Sequence, residues 1–271
     1  MRNNKTMELV LTSLFMAIII IMAFTPLGYI PLVVINATII HIPVILGSLF
    51  CGPKKGAFLG FVFGFTSFIK NTIMPSSLSA FVFSPILASS VVGTAGIFKS
   101  LFICFVPRIL VGVLPYFVFM LIKKALTSEK KKLWGLILNI AVSCLLCFGI
   151  HAFFNKMFAD SMSTAVNIAL SIMISTVVFA LLEISFLYRE ANVLSFVYAG
   201  ISGAFINTLL VMGGIFVLYK DAYANALSID ADMVLGVIGG VISFNGVLEA
   251  IVAAVIVYAV GIVLTKVKPV K

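Results

Sequence analysis

Charge is what this sequence has least of. Only 10% of its 271 residues are charged, 9 of them acidic, and it carries 2 histidines and 1 tryptophan. Soluble domains carry about 25% charged residues, enough to clothe a water-facing surface. The shortage excludes a soluble enzyme, a disordered tail and a nucleic-acid-binding module together. His41 and His151 fall on different apolar runs with no carboxylate cluster beside them, so no metal site is expected. A phosphate-binding G-x-x-x-x-G-K-[ST] string is missing; Gly52-Pro53-Lys54-Lys55-Gly56 comes nearest and lacks the spacing. There is no H-E-x-x-H and no nucleophile elbow. The chain is therefore not expected to be an enzyme, and nothing in it calls for a cofactor.

Apolar residues fill the space left by charge, at 62% of the chain with a mean hydropathy of +1.26. An all-α polytopic membrane protein follows, because continuous apolar runs form spanning helices whereas barrel strands alternate. Eight runs qualify as spans: 7–24, 37–51, 56–69, 100–122, 133–154, 164–188, 193–219 and 233–265, the second and third being short. With the N-terminus inside, 13 basic residues fall on inner segments, including Lys54, Lys55, Lys123, Lys124 and Lys130 to Lys132. Only Lys70, Lys99, Lys156 and Lys220 fall outside, and Arg108 lies within a span. The bias places both termini in the cytoplasm and explains the net charge of +9 as topology and lipid contact. The first run lacks a cleavage site and reads as a retained helix. Cys144 and Cys147, a C-x-x-C within a span, read as core filling. The chain is one transmembrane domain over residues 1–271.

Two outer connections, 25–36 and 72–96, are uncharged and punctuated by proline, so they either fold back onto the bundle or rest among headgroups. Polar residues inside the spans carry the chemistry. A buried charge in the bilayer needs a partner or a ligand, and only Arg108, Glu183 and Glu249 qualify. Arg108 shares a helix face with Gly112, Pro115 and Tyr116, and its planar fork suits a carboxylate, either a ligand's or that of Glu249 or Glu183. Asn207 sits among Gly200, Gly203 and Gly214; Asn245 and Glu249 make a second polar face; Asn36, Thr38 and His41 enter the second run. Together they outline a pocket for a small polar solute. Gly56, Gly60 and Gly64 allow a close helix approach, and Ser13 with Ala17 offers a small-residue face toward another protein.

Five blocks in order carry a family resemblance: ATIIHIPVILGSLFCGP (37–53), KGAFLGFVFGFTSFIKNT (55–72), FVPRILVGVLPYF (105–117), GAFINTLLVMGGIF (203–216) and NGVLEAIVAA (245–254). They resemble the substrate-binding S components of energy-coupling-factor (ECF) vitamin transporters, and within them the pantothenate-specific branch. The resemblance implies a six-helix bundle in a prokaryotic plasma membrane. It implies a captured vitamin, and partners consisting of a transmembrane coupling protein and two cytoplasmic ATPases. It implies that Asn36, Thr38, His41, Arg108, Tyr116, Asn207, Asn245 and Glu249 bind substrate, and that Ser13 and Ala17 dock the coupling protein. Ser13 stands where the family places alanine. Residues 133–188 exceed the six-helix plan and read as an inserted hairpin between the fourth and fifth family helices. The alternatives are riboflavin or folate as substrate, or a stand-alone proton-coupled transporter working through Glu183 or Glu249.

Overall fold

The computed structural model describes residues 2–31, 36–75, 77–158, 161–188 and 191–270. Helix α1 (Arg2–Phe24) leads through a short 3-10 turn into a two-stranded ribbon, β1 (Tyr29–Pro31) and β2 (Asn36–Thr38). There Tyr29 pairs with Thr38 and Pro31 with Asn36. Then follow α2 (His41–Cys51), α3 (Pro53–Ile73), α4 (Pro85–Val92) and α5 (Ala95–Thr127). The chain continues through α6 (Lys131–Met157), α7 (Thr164–Tyr188), α8 (Ala191–Leu227), α9 (Val234–Val241) and α10 (Val247–Val267).

Among the described residues, seven stretches are long and apolar enough to cross a membrane, not eight. The difference lies at 37–51. Its first residues form β2, and the remaining 11 make α2, a helix only about 16 Å long at 1.5 Å per residue. Every α2 residue is buried. An apolar run wrapped on all sides by protein packs as a core helix, and this one still leads from the ribbon to the end of the bundle where Cys51 meets Glu8. At the far end, α9 and α10 form one span joined by a π-helical turn, Ile242–Gly246.

The main apolar core gathers Phe15 and Ile19 from α1, Ile45 and Leu49 from α2, Leu59 and Phe63 from α3, Val111 and Phe119 from α5, Phe196 from α8 and Ala253 from α10. Among the described residues, neither α6 nor α7 contributes to it. Those two helices pair with each other, Asn139 Nδ2 donating to Glu183 Oε1 at 2.8 Å and Asn167 Nδ2 to Asn155 Oδ1 at 2.5 Å. The order of these pairs shows that the helices run antiparallel. Such amides substitute for the hydrophobic force that lipid cannot supply between helices. The Tyr198 hydroxyl donates to Asn139 Oδ1 and ties the pair to α8. Cys144, expected as core filling, is exposed on α6, while Cys51 and Cys104 are buried.

The glycines of α3 set the geometry of the bundle. A Cβ on Gly56 would stand 1.9 Å from the Gly112 carbonyl oxygen, one on Gly60 2.2 Å from that of Arg108, and one on Gly64 2.6 Å from that of Cys104. Backbone therefore meets backbone along two turns of α5, contact that no side chain would allow. At the end of the bundle that holds both termini, Glu8 meets Lys55 at 2.9 Å and Lys268 at 3.4 Å, clasping α1, α3 and the end of α10. Gly60→Val is expected to lower stability by about 2–3 kcal/mol through overpacking. Gly213→Ala, where a Cβ meets nothing within 4 Å, should be neutral or mildly stabilising. Thermal unfolding in detergent checks the pair, and equal midpoints for both variants would contradict the contact.

Candidate functional site

A cavity of about 350 Å³ opens at the end of the bundle away from the Glu8 clasp. Its walls come from the last turns of α3 (Phe63, Thr66, Ser67, Lys70, Asn71), from β2 (Thr38), from α5 (Arg108), from α8 (Asn207, Thr208, Val211, Met212) and from the segment carrying Val241, Asn245 and Glu249. Ser77, Ser79 and Phe83 of the connection after α3 complete it. That connection lies on the bundle, held where Thr72 Oγ1 meets Ser84 Oγ at 2.8 Å and the Cys104 thiol donates to the Phe83 carbonyl at 3.0 Å.

Arg108 is 6% exposed and owes its pose to its neighbour in sequence. Pro107 has no N–H, so the Ile103 carbonyl four residues back loses its helical donor. Arg108 Nη1 donates to that same oxygen at 2.7 Å. The guanidinium also lies over the rings of Phe63, at 5.4 Å, and Phe83, at 5.1 Å. Two aromatic rings against a cation restrict its motion by cation–π attraction.

Glu249 is committed within the protein. Thr38 N–H donates to Oε1 at 2.9 Å and the Thr208 hydroxyl to Oε2 at 2.9 Å. This carboxylate therefore pins the ribbon that follows α1 to α8 and α10. The Asn207 and Asn245 amide oxygens are buried without a partner among the described residues, and both residues line the cavity. The wall thus carries a guanidinium, two amide oxygens without a partner among the described residues and several hydroxyls, a set suited to an anion that also carries hydrogen-bond donors.

Of the residues expected at the site, the structure brings Thr38, Arg108, Asn207, Asn245 and Glu249 to one cavity. His41 is wholly buried at the start of α2 and does not line it. Tyr116 packs against the main core, with its ring edge-on to Phe117 at 5.5 Å. Asn36 pairs in β2, and its side chain lies outside the described residues. Glu183 serves the α6–α7 pair instead. Ser13 and Ala17 are exposed on α1, in line with Leu9, Ile20 and Ile21. Thr66, Ser67, Lys70 and Asn71 are not among the expected site residues: Thr66 and Ser67 fall inside the third apolar run, and Lys70 and Asn71 lie beyond its expected end at 69. Their i, i+4 spacing was the available signal.

Replacing Glu249 by leucine removes the acceptor of the Thr38 amide and should speed its hydrogen exchange roughly 10- to 100-fold, the loss of one hydrogen bond to a charged group. Glu249→Gln retains an acceptor and should change it far less. Equal protection in both variants would show that the ribbon is held by something else.

The chain matches the family described as ECF transporter, substrate-specific component over residues 7–261. It is 38% identical to the pantothenic acid transporter PanT of Lactococcus lactis subsp. cremoris over 161 residues, 55% of this chain and 78% of that protein. It is 36% identical to the pantothenate transporter PanT of Leuconostoc mesenteroides over 119 residues, 42% of this chain and 51% of that protein. No solved structure matches the chain. These relatives are transporters rather than enzymes, and the seven apolar spans place the chain as a multi-pass protein of the cell membrane. Over nearly its whole length, this chain belongs to the substrate-specific components of ECF transporters.

Proposed function

We propose that this chain captures pantothenate in the cavity around Arg108 for uptake into the cell. The observation that carries the reading is the guanidinium packed against the rings of Phe63 and Phe83 on a wall that also presents Asn207 and Asn245. Pantothenate has one carboxylate for the fork, and its hydroxyls and amide N–H can donate to the asparagines. The names of both relatives favour the same vitamin. A cavity of about 350 Å³ is within the common range for small-molecule sites.

In this reading both termini are cytoplasmic, which puts the cavity on the outer side and the lysine-rich loop at 123–132 inside. The six-helix scaffold is α1, α2, α3, α5, α8 and α10, the six helices that share the main core. Helices α6 and α7 are the insertion. The first relative's larger covered share, 78% against 55% here, makes it the shorter chain, as an added hairpin would. Ser13 and Ala17 dock a transmembrane coupling protein, and two cytoplasmic ATPases on that protein supply the energy. Glu249 on the cavity wall favours one second reading, a stand-alone proton-coupled transporter. That reading predicts uptake in proteoliposomes without partner chains, lost when the proton gradient is collapsed.

Calorimetry on the purified chain in detergent tests the substrate, with riboflavin and folate as comparisons. Pantothenate alone should bind. Arg108→Ala should weaken it by about a hundredfold or more, the cost of losing one side of a buried charged contact. Arg108→Lys should recover little, since an ammonium lacks the fork. Binding of riboflavin or folate in place of pantothenate overturns the substrate and leaves the family assignment intact. Pro107→Ala separates pose from stability. Restoring the helical bond to Ile103 should raise the unfolding midpoint, because an interior proline costs about 3 kcal/mol. The same change should weaken binding several-fold by competing with the guanidinium for that carbonyl. Unchanged affinity in Pro107→Ala would sink the account of the arginine's pose.

A further inference from the structure

Among the described residues, helix α6 lines no part of the cavity, yet it packs on a segment that does. Phe153 stacks on Phe244 with ring centroids 4.9 Å apart and planes 18° apart. One turn earlier, Gly149 approaches so closely that a Cβ there would stand 1.9 Å from the Val247 side chain. Gly149 and Phe153 share one face of α6. Opposite them, Phe244 and Val247 lie in and just after the π-helical turn Ile242–Gly246.

That turn brings Asn245 to the cavity wall. A π turn fits an extra residue into the helix at the expense of regular bonding, and such turns persist chiefly where a site uses them. Phe244 is 1% exposed and stacks on α6, while the next residue presents an amide oxygen with no partner among the described residues. The position of the Asn245 amide is therefore set from behind.

We propose that α6 is a positioning element for the binding site, with Gly149 and Phe153 holding the π turn in the register that presents Asn245 to the ligand's hydrogen-bond donors. The proposal rests on reading the cavity as the pantothenate site and gives the α6–α7 pair a role there. Phe153 is a positioning residue that never meets the ligand. Its influence on affinity passes through Asn245 and ends when Asn245 is removed.

A double-mutant cycle on the full chain tests this, with pantothenate binding measured for wild type, Phe153→Ala, Asn245→Ala and the pair. Each single change should weaken binding about tenfold, as expected when a buried polar contact is lost or displaced. The double variant should be no weaker than the weaker-binding single variant, the signature of residues acting as one unit. Phe153→Tyr keeps the stack and should bind like wild type. Additive losses, or wild-type affinity in Phe153→Ala or Asn245→Ala, overturn the proposal. If Phe153→Ala does not fold, Phe153→Leu enters the cycle in its place.

A second measurement needs no ligand. Hydrogen exchange over residues 242–247 should be faster in Gly149→Ala and Phe153→Ala than in wild type, with the other spans unchanged. Unchanged exchange over that segment also overturns the proposal. If the wild-type chain binds no pantothenate, the substrate reading fails, and the exchange result alone decides whether α6 positions the turn.

Discussion

The backbone contact between α3 and α5 is the constraint on which the rest depends. Three glycines spaced four apart let α5 lie against α3 at Cys104, Arg108 and Gly112. In a bilayer there is no hydrophobic gain from pressing apolar helices together, so close van der Waals fit and small residues must supply the association. Because Gly60 touches the backbone of Arg108 itself, the same contact fixes where that side chain starts. Phe63, one turn further along α3, then lies against the guanidinium as a geometric consequence. Packing and binding share one helix pair.

A different balance governs α6 and α7. They stay outside the main core and are joined by amide and carboxylate bonds, Asn139 with Glu183 and Asn155 with Asn167. Polar side chains of this kind choose a register, since slipping one helix past the other would leave each group unpaired in lipid. Glu183 is thereby explained as an internal fastening. The charge that looked most like a transport group outside the cavity has a structural partner close by.

The membrane class, most of the spans and the polar face of α10 were legible because continuous hydropathy and isolated charges are strong, local signals. The Gly56–Gly60–Gly64 series was legible as a close approach, though the sequence did not name its partner. Helix α2, expected as a short span, is an 11-residue helix buried throughout by protein, and burial by protein and burial by lipid select the same residues. Tyr116 is expected at the site from helical spacing and His41 from its place at the start of the second run, but neither signal gives the neighbour that a side chain meets. The hydroxyl, amide and lysine groups on α3 were overlooked for different reasons. Thr66 and Ser67 sit inside an apolar run where hydroxyls are ordinary, and Lys70 and Asn71 lie past its expected end at 69, whereas the helix continues to Ile73. The bond between the Thr38 amide and Glu249 joins positions 211 residues apart, a pairing no local pattern encodes.

The bond from Arg108 to the Ile103 carbonyl bears on how the protein is made. A cation entering the bilayer during synthesis needs something to offset its lost hydration, and distant helices have not yet arrived. Here the compensating oxygen sits five residues away on the same helix, released by the intervening proline. It exists as soon as α5 coils. The helix can therefore carry its arginine through the insertion machinery as a self-contained unit, before α8 and α10, which complete the cavity, have been translated.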